Sequence, residues 1–170
     1  MSLPHDLLVQ ARMLATIDRR RPKQANLRRA VSTAYYALFH LLTIDAARLY
    51  VRDDWELVSR IARSLNHGDM KNVSREFSKG QLPKSLQVPD KPAQISELVK
   101  KVAKAFNNLQ AARHSADYDL GVTYTREAAL TLVEAAETAS AHWAVVKSSD
   151  DARLYLACFL NWDSWNKPPR

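Results

Sequence analysis

The sequence predicts an all-α fold, an up-and-down bundle of five to seven helices. Three observations carry that expectation. The chain has only 3 Gly in 170 residues, against 7 Pro. All-β folds spend glycine at hairpin turns and α/β nucleotide folds spend it in phosphate loops, so scarcity argues against both. Apolar residues recur at i, i+3 and i+4 along most of the chain. Finally, 46% hydrophobic and 25% charged residues, without low-complexity tracts, exclude disorder as the overall state.

The elements follow in order. Pro4 sits where a first helical turn tolerates it, and Leu7, Leu8, Ala11, Leu14 and Ala15 continue a helix to the basic turn at Arg21-Pro22. A second helix spans about 24–50. Its stripe of Leu27, Val31, Ala34, Leu38, Leu41 and Leu42 is widened by Tyr35, Tyr36, Phe39 and Ile44 until most of the circumference is apolar. Such a helix is central, packed on several sides or shared with a second subunit. Residues 53–79 read as one or two shorter helices with a break at Asn66-His67-Gly68-Asp69. Pro83, Pro89 and Pro92 mark 80–92 as a loop. The cleanest stripe follows, from Ile95 through Val99, Val102, Phe106 and Leu109 to Ala112. Thr125 caps a helix over 126–147, and Ser149-Asp150-Asp151 starts a last one, 152–160, ending in Asn161–Trp165.

The net charge of +7 is concentrated. Residues 12–29 carry +6, with Arg12, Arg19, Arg20, Arg21, Lys23, Arg28 and Arg29 facing the single acid Asp18. This is the electrostatic footprint of a polyanion site, or else a solvated corner between two helices. One cysteine, Cys158, excludes an internal disulfide and a multi-thiolate metal site, and so points to a reduced intracellular setting. No membrane-spanning stretch and no secretory start are visible, so a cytoplasmic location is expected, without membrane association.

Standard chemical signatures are missing. There is no phosphate-binding glycine loop, nucleophile elbow, HExxH or EF-hand loop. His5, His40, His67, His114 and His142 are scattered one per element, so no metal and no cofactor is expected. Two segments stand out. In the second helix Arg29, Tyr36 and His40, at i, i+7 and i+11, offer a cation, a phenol and an imidazole on one face, or simply amphipathic packing. In Ala112–Asp119, Arg113 falls on the apolar stripe and must be paired, exposed at an interface or functional; Asp117 at i+4 is its natural partner.

Together these segments resemble the HEPN family of small all-α domains. The match is Arg29-Ala30-Val31-Ser32-Thr33-Ala34-Tyr35-Tyr36-Ala37-Leu38-Phe39-His40, joined by Arg113-x-x-x-Asp117-Tyr118-Asp119, and the helix order fits over most of the chain. The resemblance implies a HEPN-like bundle over 1–147, with 148–170 as a helical extension packed on the same domain. It also implies a homodimer. Many family members are metal-independent RNases with paired sites at the dimer cleft; others are non-catalytic, and many partner a minimal nucleotidyltransferase in toxin–antitoxin-like pairs.

The family's catalytic signature is an arginine, a polar residue and, about a turn later, a histidine. Arg113 and His114 fit its start, but Tyr118, Asp119 and Leu120 occupy the positions where the histidine would fall. Tyrosine, with an ordinary pKa of about 10, is a poor base near neutral pH. The expectation is therefore a homodimer that binds RNA or a nucleotide, with weak or no RNase activity. The binding residues would be Arg19, Arg20, Arg21, Lys23, Arg28, Arg29, Tyr36, Asp117 and Tyr118, with Arg113 and His40. Two alternatives stand beside it. One is an interaction module of a toxin–antitoxin-like pair with a nucleotidyltransferase, its contact including Trp162 and Trp165 unless those close the bundle end. The other is a metal-independent endoribonuclease using Arg113 with His40 or His114.

Overall fold

The computed structural model of the protein describes residues 2–90 and 93–165. Among them are seven α-helices, one 3₁₀ turn (Lys84–Leu86) and no strand. The helices are α1 (Leu3–Thr16), α2 (Gln24–Arg48), α3 (Trp55–Ser64), α4 (His67–Ser78), α5 (Glu97–Tyr118), α6 (Arg126–Val146) and α7 (Asp150–Trp165). The fold is an all-α helical bundle, as the glycine scarcity and the 3.6-residue periodicity require. Pro92 of the expected loop and residues 166–170 of the expected extension lie outside the described residues. No helix among the described residues is long and apolar enough to cross a membrane.

Three boundaries differ from the sequence reading, each for a local reason. The first helix stops at Thr16 rather than at Arg21. Asp18 accepts from the Lys23 backbone N–H at 3.0 Å and from Asn26 Nδ2 at 2.8 Å, so its carboxylate organises a turn where the helix would otherwise continue. The break near Asn66 is shorter than expected, because the Asn66 side chain caps α4 by accepting from the Asp69 N–H at 2.8 Å. The last helix runs on to Trp165. Tyr155, Phe159 and Trp162 continue one apolar stripe, and Asn161 donates to the Ala157 carbonyl at 2.9 Å, one turn back.

The chain divides into two compact units, each built from two segments. The first is Met1–Leu41 with Ala105–Ala141; the second is Leu42–Lys104 with His142–Arg170. In the first, Ala15, Leu27, Ala30, Val31, Ala116 and Ala129 form a core in which small side chains let helix backbones approach closely. In the second, the Tyr155 ring packs against Phe77 (4.9 Å between centroids) and Phe159 (4.6 Å), and its hydroxyl shares a 2.6 Å hydrogen bond with buried Ser74. Trp143 is fully buried and donates through Nε1 to Asp45 at 2.9 Å. Trp162 is buried in this second unit and Trp165 partly so, which favours the sealing role over a partner contact for Trp162.

Candidate functional site

Within the first unit, α2 and α5 lie side by side with a polar seam between them. The continuous buried run Ala30–Tyr35 makes α2 the central element here, which is what its all-round apolar pattern predicts. Ser32 within that run and Tyr36 just after it both face α5. Ser32, fully buried, donates to Asp117 Oδ1 at 2.5 Å. One turn on, the Tyr36 hydroxyl accepts from Arg113 Nη2 at 2.6 Å.

Arg113 joins these groups. Its Nε lies 2.9 Å from Asp117 Oδ2, an ion pair by distance in which the N–H is not aimed along a hydrogen bond. The two side chains are 17% and 23% exposed, so the pair is screened far less than a surface one. The rings of Tyr36, Tyr118 and Tyr35 surround the guanidinium, with centroids 5.4, 5.6 and 6.0 Å from its carbon. Burial works against its charge, but the Tyr36 hydroxyl and the Asp117 carboxylate more than offset this and hold its pKa above the ordinary arginine value. Nη1 makes no hydrogen bond among the described residues. The guanidinium is therefore anchored on its Asp117 side and offers a donor edge to an incoming anion.

His40 extends the seam. Its ring stacks on Tyr36 (6.1 Å between centroids, 28° between planes), which the i, i+4 spacing on α2 brings about. Burial lowers its pKa from the usual 6.5, favouring the neutral imidazole. The sign of the consequence follows. As pH falls through about 6.5 the unfolded chain takes up this proton before the folded one does, so His40 costs stability on the acid side. Urea midpoints measured at pH 7 and pH 5 should fall more for the wild type than for His40→Leu; an equal fall would contradict the assignment.

His114 adjoins the cluster through Tyr118. It is exposed and packs against Tyr118, 5.1 Å between centroids. Where the resemblance would place a histidine, the chain has an exposed tyrosine, an exposed aspartate and Leu120, 90% exposed.

The basic segment separates into two kinds of residue. Arg28 donates through Nη1 to the Ala116 carbonyl (2.9 Å), and through Nη2 to the Asp119 carbonyl (2.8 Å) and that of Val122. It closes the C-terminal end of α5 and its exit loop, so its charge is engaged inside the protein rather than offered to a ligand. Arg19, Arg20, Arg21, Lys23 and Arg29 are exposed, and no hydrogen bond or ion pair ties their side chains among the described residues. The turn that carries them is held rigidly. Besides Asp18, Arg126 donates through Nη2 to the carbonyls of Asp18 and Arg19. Gln24 and Tyr124 exchange a reciprocal pair, 2.7 and 2.9 Å, fixing the start of α2 against the chain entering α6. Arg12 is spent elsewhere, on a two-pronged pair with Glu137 (2.9 and 2.6 Å).

The structure thus joins Tyr36, His40, Arg113, Asp117 and Tyr118 in one cluster, with His114 at its exposed edge against Tyr118. The free arginines of the turn belong to the same unit, at the N-terminal end of α2. From Lys23 to Tyr36 the helix rises about 20 Å, with Arg29 between them on the Tyr36 face. Sequence reasoning missed Ser32, Asp18 and Arg126. For Ser32 the signal was present: a hydroxyl one turn before Tyr36 on a helix apolar around most of its circumference. No family model, curated protein or solved structure matches the chain.

Proposed function

We propose that the protein is a HEPN-like homodimer that binds single-stranded RNA or a nucleotide, holding phosphate through Arg113 and the free cations of the 19–23 turn. The observation that carries this reading is the half-satisfied guanidinium of Arg113, anchored by Asp117 and Tyr36 with an open donor edge beside aromatic faces. Phosphate suits that edge, and the stacked Tyr36–His40 pair and Tyr118 suit nucleobases. RNase activity is weak or absent in this reading. A neutral His40 half-buried against Tyr36 and an exposed His114 do not form the acid–base pair that cleavage at a 2′-hydroxyl needs, and Tyr118 does not replace it.

The test is fluorescence anisotropy with a short labelled single-stranded RNA, run beside a gel that reads cleavage. Arg113→Gln should weaken binding by at least about tenfold, the loss of one charge-assisted contact. Tyr36→Phe, which frees the guanidinium without removing it, should weaken it less. An affinity unchanged by Arg113→Gln in a folded variant overturns the reading, and metal-independent cleavage lost in His40→Ala or His114→Ala would establish the nuclease alternative instead.

One observation favours a second reading, the interaction module with a nucleotidyltransferase partner. Val9 and Met13 on α1 and Ile17 just past its end form an exposed apolar stripe at i, i+4 and i+8. A monomer in light scattering that co-purifies with no partner would contradict it.

A further inference from the structure

The first helix, α1, is apolar on two faces. Ala11 and Ala15 are buried, as the inner side of an amphipathic surface helix should be. Its outer side should then carry charge, and it does not. Val9, Met13 and Ile17 stand there at 57%, 51% and 56% exposure, with exposed Gln10 and Thr16 beside them. Arg12, the one charged residue between Asp6 and Asp18, is turned onto Glu137 of α6. A continuous exposed row of large apolar side chains marks a surface that another molecule covers.

Charge returns only at the two ends of the row, with opposite sign. Asp6 is exposed and is the only acidic or basic residue before Arg12. At the other end stand Arg19, Arg20 and Arg21, exposed on the turn that Asp18 and Arg126 hold. An acid, an apolar row and a basic end make a face that complements itself when two copies run in opposite directions. With Met13 on the two-fold axis, Val9 meets the partner's Ile17, each four positions from Met13. Asp6 then meets the basic turn at the partner's Arg20, each seven positions from Met13. Parallel packing would set acid against acid and arginine against arginine, and would align the helix dipoles unfavourably.

We infer that the outer face of α1 is an interface between two copies of this chain, packed antiparallel about Met13. The inference rests on the homodimer of the reading above and gives it a surface. It also covers, with the chain itself, the stripe that the interaction-module reading leaves to a foreign partner. Burial of the apolar row supplies the affinity, and the acid–base contacts at both ends set the direction. Each turn brings three arginines to one aspartate, so cations remain for a phosphate backbone.

Sedimentation equilibrium of the full chain at pH 7 reads the association. The wild type should form dimers. Met13→Lys, which sets two ammonium groups against each other on the axis, should weaken association at least about tenfold. Met13 is exposed, so this variant should keep the wild-type circular dichroism. Cysteine variants read the register, the native Cys158 being buried. Under mild oxidation Met13→Cys should cross-link to itself. Val9→Cys alone should not, because antiparallel packing holds the two copies of position 9 beyond disulfide reach, but Val9→Cys mixed with Ile17→Cys should. A monomeric wild type overturns the inference, as does a dimer that Met13→Lys leaves intact, or Val9→Cys alone cross-linking as readily as Met13→Cys. RNA anisotropy on the same samples separates the two readings: a dimer that Met13→Lys dissociates but that binds no RNA upholds the interface and overturns RNA binding.

Discussion

Arg113→Leu should lower folding stability by about 3 kcal/mol, the low end for breaking a buried ion pair because both partners keep some solvent contact. The loss comes mainly from what remains. Asp117 would be left charged and partly buried with only the Ser32 hydroxyl to compensate it, and the Tyr36 hydroxyl would lose its donor. Neutralising the orphaned carboxylate should therefore rescue the variant: Arg113→Leu with Asp117→Asn should be more stable than Arg113→Leu alone. Urea unfolding of the two single variants and the double variant reads this directly. If the two effects simply add, Asp117 and Arg113 are not coupled, and the seam is not the unit described above.

Arg28→Met should cost about 2 kcal/mol, on the scale of charge-assisted hydrogen bonds to carbonyls that water only partly replaces. The methionine keeps much of the apolar stem, so the change isolates the guanidinium. Three carbonyls, of Ala116, Asp119 and Val122, would lose their donor, and the end of α5 would fray. Hydrogen exchange should quicken across 116–122 while the centre of α2 stays protected. RNA affinity should change little, since Arg28 is committed to the protein's own backbone. A large loss of RNA binding with unchanged stability would reverse that assignment and return Arg28 to the ligand-facing cations.

How much was legible in advance depended on how local the cause was. The helices were, because periodicity is a property of neighbouring residues, and so were the Thr125 cap, which accepts from the Ala128 N–H at 3.1 Å, and the Arg113–Asp117 pair at i, i+4. Within the basic cluster, the sequence could not separate Arg28 from Arg29. They are adjacent, but successive helical positions are rotated by about 100°, which turns Arg28 toward the end of α5 and leaves Arg29 outside. Their charges are identical, and only the arrival of carbonyls some ninety positions away distinguishes them. The hydroxyl of Ser32 was visible on α2, but its partner was hidden for the same reason, being on another helix. The early end of α1 reflects a turn organised by Asp18, whose short side chain competes for backbone N–H groups more effectively than apolar spacing predicts.

The most direct test of the central claim, that an anchored arginine and a rigid basic turn hold a phosphate backbone, is the salt dependence of RNA binding. Anisotropy titrations of a short single-stranded RNA over a range of salt concentrations should give log affinity falling linearly with log salt. Replacing Arg19, Arg20 and Arg21 together by serine should make that slope shallower by about 2, since each phosphate contact on a single strand contributes about 0.7. These side chains are exposed and make no internal bonds among the described residues, so stability should be unchanged. A slope identical in the two proteins, or an affinity that ignores salt altogether, would contradict the account.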